Sequence, residues 1–413
     1  MTCMVVGIPI VSYTFGNFVK PLNEAFQWSR GQVSLGPSLA LLGVTVGQPF
    51  FGRLTDRFGA RVVILPCAVG FGASWVALRF LTASLWHFYL LYFLLGLFGG
   101  GVGPVPFAAV LSRWFEKQRG LALGLAMIGL GLGGFVMAPL AQTLIATRGW
   151  RQAYTVIGVL VWVVVLPVAG LMLRERPETY GLLPDGERAG TDPGEPGGRV
   201  PLPGLAFTEA WRTKNFWCLC VAFFLLSIAL HGFLIHCIPL LTDRGVSGQK
   251  AAFFLSLLAV GSMMGRGVAG FLADKAQAAL AMGSKYVALA SFLGAAAGIV
   301  FLWESKTEAG VYFFVFLFGL GVGAEVDLFP YMVGRCFGLK AFAEIYGYTL
   351  AAFGLGGVLG PLFTGLSFDA TGSYTLALGS FFFLVLIASG FMLPLRALEG
   401  DAEVYGIVTG GAL

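Results

Sequence analysis

Apolar residues fall into twelve long runs separated by mostly short polar connections. Each run approaches or exceeds the roughly 20 residues a helix needs to cross a hydrocarbon core of about 30 Å. The runs are Val5 to Leu22, Leu35 to Phe51, Val62 to Leu81, Phe88 to Leu111, Gly120 to Leu144, Ala153 to Leu173, Phe216 to Leu241, Ala251 to Leu272, Tyr286 to Trp303, Val311 to Val333, Ile345 to Leu366 and Tyr374 to Leu395. The first begins almost at Met1 with no basic residues ahead of it and no small-residue cleavage site, so it reads as a true first helix. One long polar segment, about Arg174 to Thr213, is rich in Pro, Gly and charge and divides the runs six and six. The expected organisation is an N-terminal six-helix bundle over 1–173, a flexible cytoplasmic linker over 174–213, a C-terminal six-helix bundle over 214–396 and a tail over 397–413.

The two halves repeat. At a spacing of 218, Pro21-Leu22 aligns with Pro239-Leu240, Ser29 with Ser247, Gly43 with Gly261, Gly47 with Gly265, Gly52 with Gly270, and Asp56-Arg57 with Asp274-Lys275. Near a spacing of 220, Gly99, Gly101 and Gly103 meet Gly319, Gly321 and Gly323. Among repeat-built membrane proteins, two similar rigid halves that can rock about a central site are what alternating access requires, and two parallel six-helix repeats supply them. The expected fold is an all-α integral membrane protein.

Composition agrees with the pattern and removes other classes. Of 413 residues, 57% are hydrophobic and 11% charged, too few charges to cover a soluble protein of this length. The net charge of +5 is spread between apolar runs, which argues against a nucleic-acid partner and leaves membrane lipid as the surrounding medium. With both termini cytoplasmic, 17 of the 26 Lys and Arg residues fall on the inner side and 8 on the outer, the bias expected of a multi-pass protein in a cell membrane such as a bacterial inner membrane. The six cysteines form no CxxC pair, and His231 and His236 are five apart on different helix faces. No metal, no cofactor and no obligate protein partner is therefore expected. Neither a clustered nucleophile with its base nor a P-loop is present, so an enzyme is not expected.

Charged groups within the runs are costly, by about 2.5–3.5 kcal/mol or more at a helix centre, so each needs a reason. Arg266 lies eight residues before Asp274, about 12 Å along a helix, near the midplane. A permanently protonated guanidinium at that depth suits a carboxylate, and Ser262 sits one turn earlier on the same face. The alternative for Arg266 is a permanent pair with an acid on a neighbouring helix. Glu325 and Asp327 lie ten and eight residues before Arg335 on the tenth run, also at depth. Being two apart they face nearly opposite ways, so at most one lines a cavity and carries a proton, while the other suits a structural charge pair. His236, near the outer end of the seventh run, is a candidate for gating, proton coupling or substrate contact. Tyr13, Asn17 and Tyr348 are polar positions expected to touch substrate.

The segment Gly52-Arg53-Leu54-Thr55-Asp56-Arg57-Phe58-Gly59-Ala60-Arg61 resembles the loop signature between the second and third helices of the major facilitator superfamily. Gly270-Phe271-Leu272-Ala273-Asp274-Lys275 is its degenerate echo. Through it, Gly52, Asp56, Arg57 and Asp274 read as gating residues, an Asp at a helix end clamping basic residues and a neighbouring helix terminus. Further segments resemble the bacterial monocarboxylate transporter and oxalate/formate antiporter branch: Lys20-Pro21-Leu22, Phe26-Gln27-Trp28-Ser29-Arg30, Arg113-Trp114-Phe115, Arg119-Gly120-Leu121-Ala122, Gly149-Trp150-Arg151, His236-Cys237-Ile238-Pro239, Gly265-Arg266, Glu325-Val326-Asp327, Phe337-Gly338-Leu339 and Tyr346-Gly347.

That resemblance implies proton-coupled carboxylate transport through the twelve-helix fold, with the helix-8 arginine, here Arg266, binding substrate. Two departures narrow the expectation. Phe353 stands where the oxalate antiporters have a second cation, a lysine, leaving a dianion one fixed positive charge and favouring a monocarboxylate such as lactate or pyruvate. Ser262 stands where the animal monocarboxylate carriers have an Asp, and their first-helix lysine falls near Tyr13, so their proton scheme does not transfer directly. Oxalate/formate-type anion exchange is the rival within transport, and a nontransporting membrane sensor on the same scaffold is the rival outside it.

Overall fold

Among the described residues the chain runs through twelve long helical segments: α1 (Pro9–Phe26), α2 (Arg30–Phe58), α3 (Ala60–Ala77), α4 (Leu85–Trp114), α5 (Arg119–Arg148), α6 (Trp150–Pro167), α7 (Lys214–Asp243), α8 (Gly248–Ala279), α9 (Gly283–Glu304), α10 (Glu308–Phe337), α11 (Phe342–Thr371) and α12 (Thr375–Met392). The computed structural model describes residues 2–7, 9–186, 202–280, 282–304 and 308–398. Among these, ten helices are long and apolar enough to span a bilayer; α8 and α10, of 32 and 30 residues, run over positions whose side chains lie outside the described set. Strands are absent from the described residues, where Gly204 and Gly338 form an isolated bridge. Trp86, Phe135, Val163 and Leu171 stand exposed, as lipid-facing side chains do.

Local chemistry sets the boundaries. Ser29 opens α2 with a capping box: its hydroxyl accepts from the Gln32 amide at 3.2 Å, and the Gln32 side chain accepts from the Ser29 amide at 2.9 Å. Its repeat partner Ser247 opens α8 by accepting from the Lys250 amide at 3.4 Å. Pro9 begins α1 at a position whose missing N–H costs nothing, after a short turn over Thr2–Val5. The fourth span is not one helix: Leu85–Gly101 gives way at Val102 and Gly103 to Pro104–Trp114. Its repeat partner α10 runs through without such a break.

The chain forms two compact units. The first comprises Met1–Trp114, Leu125–Arg188 and Ala343–Leu355; the second comprises Phe115–Gly124, Ala189–Phe342 and Gly356–Leu413. The first half's core is aromatic, with Phe18 stacked on Tyr154 at 4.1 Å and the Tyr92 and Tyr154 hydroxyls 3.4 Å apart. In the second, Phe223 stacks on Phe329 at 3.5 Å. The segment expected to be a flexible linker is held at both described ends. The Trp114 indole donates to the Arg174 carbonyl at 2.8 Å, while the Leu205 and Leu339 amides donate to the Phe337 and Pro203 carbonyls, both at 2.8 Å. Its middle, 187–201, and the tail from 399 lie outside the described residues.

Lipid supplies little drive for apolar helices to associate, so close packing of small residues must hold them. A Cβ at Gly43 or Gly47 of α2 would run into the backbone of Phe93 or Leu97 in α4, and one at Gly96 would strike the Ala40 carbonyl. In the second unit Gly261 and Gly265 of α8 crowd Phe316 and Leu320 of α10, and Gly319 crowds Leu258. The two crossings match contact for contact, with α2 related to α8 by 218 positions and α4 to α10 by 223. The register near 220 read from the glycines alone is thus corrected: Gly319 is the counterpart of Gly96. Gly47→Val and Gly265→Val should each lower the apparent unfolding midpoint in detergent, costing about 1–3 kcal/mol for overpacking. Gly267→Ala, with open space around it among the described residues, should not.

Candidate functional site

The α8–α10 crossing carries the charges that sequence reasoning placed at depth. Arg266 is 9% exposed. It follows Gly265, whose missing side chain lets the Leu320 backbone close in, and Gly323 of α10 does the same against the Ser262 carbonyl. The two helices cross in parallel, so one further turn from Ser262 reaches Arg266 while one further turn from Gly323 reaches Asp327. Backbone register therefore puts the Glu325–Asp327 stretch beside Arg266. The side chains of Glu325 and Asp327 lie outside the described residues. In the first unit the equivalents of these acids at a spacing of 223 are Val102 and Pro104, where α4 breaks.

A second constellation sits eight residues further along α2 and α8. Asp56 Oδ2 accepts a hydrogen bond from the Glu344 amide at 2.7 Å, and the Ala343 amide stands beside the same carboxylate. Those are the third and second residues of α11, whose first-turn N–H groups have no partner within the helix. Asp274 accepts from the Gly120 and Leu121 amides at 2.8 and 2.9 Å, the second and third residues of α5. Each aspartate thus caps a helix from outside, adding the attraction of the helix dipole to its hydrogen bonds.

Gly52 and Gly270 stand one turn before these aspartates on the same face. A Cβ there would strike the Ala343 or the Gly120 carbonyl, so glycine is what admits the helix terminus to the carboxylate. Charge completes each latch. Asp56 pairs with Arg113 at 3.6 Å, both side chains under 10% exposed, and Arg53 reaches Glu344 at 3.8 Å. Around Asp274 stand the Tyr331 hydroxyl and the Arg119 guanidinium.

The remaining candidates divide. Arg57 is exposed and lies over the Phe58 ring at 5.1 Å; the ion-pair partner of Asp56 is Arg113 instead. Asn17 donates to the Ala138 carbonyl at 2.8 Å, tying α1 to α5. Tyr13 and Tyr348 are exposed, and Ser262 is half-buried. His236 ties three helices of the second unit: Nε2 is 3.2 Å from the Pro361 carbonyl and Nδ1 is 3.4 Å from the Tyr374 hydroxyl. An Nε2–H donating to the carbonyl leaves Nδ1 placed to accept from the tyrosine hydroxyl. Sequence reasoning missed the roles of Arg113, Arg119, Tyr331 and Glu344, although Arg113 and Arg119 stand in motifs it singled out.

A family profile described as the Major Facilitator Superfamily matches residues 1–361. Monocarboxylate transporter 11 of Homo sapiens is 29% identical over 369 residues, covering 86% of this chain and 72% of that protein. Monocarboxylate transporter 13 of Bos taurus is 28% identical over 391 residues, covering 92% and 84%. Among solved structures, the Escherichia coli fucose:proton symporter FucP aligns with a TM-score of 0.67 at 16% identity, over 94% of this chain and 97% of that one. The proton:xylose symporter XylE aligns with a TM-score of 0.70 at 14% identity, over 95% and 93%. At such identities these structures speak for the fold alone.

Proposed function

The chain belongs to the major facilitator superfamily, and on that premise we propose that it carries small organic monocarboxylates of the lactate and pyruvate kind together with a proton, by alternating access. It is a multi-pass membrane transporter and not an enzyme. The observation that carries the substrate class is Arg266, a buried guanidinium midway along a spanning helix, whose planar fork matches the two oxygens of a carboxylate. Relatives named as monocarboxylate transporters support that class. Proton carriage falls to Glu325 or Asp327, whose helix register brings one of them level with Arg266. His236, with both ring nitrogens engaged, serves as a pin that holds α7 to α11 and α12. The excess of Lys and Arg in the connections supports a cytoplasmic placement for Asp56 in its unit and for Asp274 in the other.

The test is uptake of labelled lactate, pyruvate, formate and oxalate into proteoliposomes, with and without an inward proton gradient. Monocarboxylates should accumulate with the gradient, oxalate should not compete, and either Glu325→Gln or Asp327→Asn should abolish accumulation while sparing counterflow. Uptake indifferent to the gradient but driven by internal carboxylate would establish exchange instead. No uptake of any carboxylate would remove the substrate class.

A further inference from the structure

Gln48 is buried in α2, 6% exposed, and its Oε1 has no hydrogen-bond partner among the described residues. Nearby Thr45 is satisfied, its hydroxyl donating to the Leu41 carbonyl at 2.8 Å. What closes over this stretch of α2 is the first part of α11. A Cβ at Gly347 would strike the Gln48 carbonyl, and one at Gly354 would lie 2.5 Å from the Thr45 hydroxyl. All of these residues belong to the first unit. The same helix pair ends, two turns on, in the Asp56 latch on the α11 terminus.

The seal between α2 and the start of α11 therefore holds two opposed elements. The Glu344 amide bonded to Asp56 Oδ2 and the ion pair of Asp56 with Arg113 favour closure. Gln48 opposes it, because an amide oxygen shut away from water without a partner is destabilised only while the helices are together. Once α11 withdraws, water reaches the amide and the penalty is gone. We propose that Gln48 is a rate-setting residue of transport, a built-in counterweight that keeps the α2–α11 seal openable. This rests on the reading that the latch opens and closes during alternating access. The position is polar in both halves, since the repeat partner of Gln48 at a spacing of 218 is Arg266. Of that pair, Gln48 lies under the Gly347 backbone of α11 and so acts on the seal.

The experiment is amide hydrogen exchange of the full-length protein in nanodiscs, followed over the peptide spanning the start of α11, with initial uptake rates measured in parallel. Gln48→Met keeps the length of the side chain and removes the unsatisfied group. It should slow exchange at Ala343 to Leu350 roughly 5- to 100-fold, the factor one unsatisfied buried amide represents, and should lower the uptake rate. Gln48→Glu, which buries a still less tolerable group, should move exchange the other way, so the proposal survives if one variant folds poorly. Adding Asp56→Asn to Gln48→Met should return exchange toward wild type. Exchange unchanged or faster in Gln48→Met, with a wild-type segment that does open, overturns the role of Gln48 alone. A wild-type segment exchanging no faster than the α2–α4 crossing overturns the opening of the latch and this proposal with it.

Discussion

Arg266→Ala should raise the half-saturation concentration for carboxylate uptake at least about 30-fold while folded protein is recovered in normal yield. Truncating one partner of a buried, hydrogen-bonded charge pair costs about 2–5 kcal/mol, and 2 kcal/mol is already about 30-fold in affinity. The protein keeps this cation at 9% exposure on a spanning helix, where an Arg is costly, so its removal is not expected to harm the scaffold if its work is to hold a transient anion. Arg266→Lys should fall between, because the charge survives while the planar fork that grips two carboxylate oxygens is lost. A permanent pairing with an acid on α10 gives another signature: Arg266→Ala would lose folded protein, and adding Glu325→Gln or Asp327→Asn would restore it. Undiminished uptake by Arg266→Ala would end the assignment.

The reach of sequence reasoning here follows from what lipid does to a chain. A backbone in hydrocarbon must bond to itself, so twelve apolar runs translate almost directly into helices, and a rare charge such as Arg266 stands out by its cost. The glycine one turn before each aspartate was legible as a motif for the same local reason. Pairings were not. The amide donor of Asp56 lies 288 positions away at Glu344, and those of Asp274 lie 154 back at Gly120. Nothing in either segment states which helix terminus will arrive. Glycine density also misled the register: α4 carries Gly96, Gly99, Gly100, Gly101 and Gly103, so several alignments with α10 score alike until the crowding of Ala40 against Gly96 and of Leu258 against Gly319 fixes one. The same density hid the break at Val102 and Gly103, because an apolar run reads as continuous whether or not its hydrogen bonds are. Gln48 belongs to no motif at all, and only its burial makes it conspicuous.

The latches give the second large effect, and it should be unequal between the halves. Asp56→Ala takes from Arg113, whose side chain is 4% exposed, its ion-pair partner 3.6 Å away and leaves it the weaker attraction of Glu175 and Glu178. Stranding a buried charge costs about 3–5 kcal/mol, so this variant should show a sharply lowered unfolding midpoint and reduced yield. Asp274→Ala removes the acceptor for the Gly120 and Leu121 amides, but those amides begin a helix and can bond to water once the carboxylate is gone. Its cost should be nearer that of a lost charge-assisted cap, about 1–3 kcal/mol. Arg119, as buried as Arg113, keeps a neutral acceptor for its Nε, the Phe115 carbonyl at 3.2 Å. The decisive variant is Asp56→Ala with Arg113→Met. Removing both charges and filling the space with an apolar side chain should recover most of the lost stability, because the larger part of the damage is the orphaned guanidinium and not the missing pair. Recovery of stability without recovery of uptake would assign the pair to the transport cycle. If the double variant is instead as unstable as the sum of its parts, the two residues are not coupled and the latch is held by the amides of α11 alone.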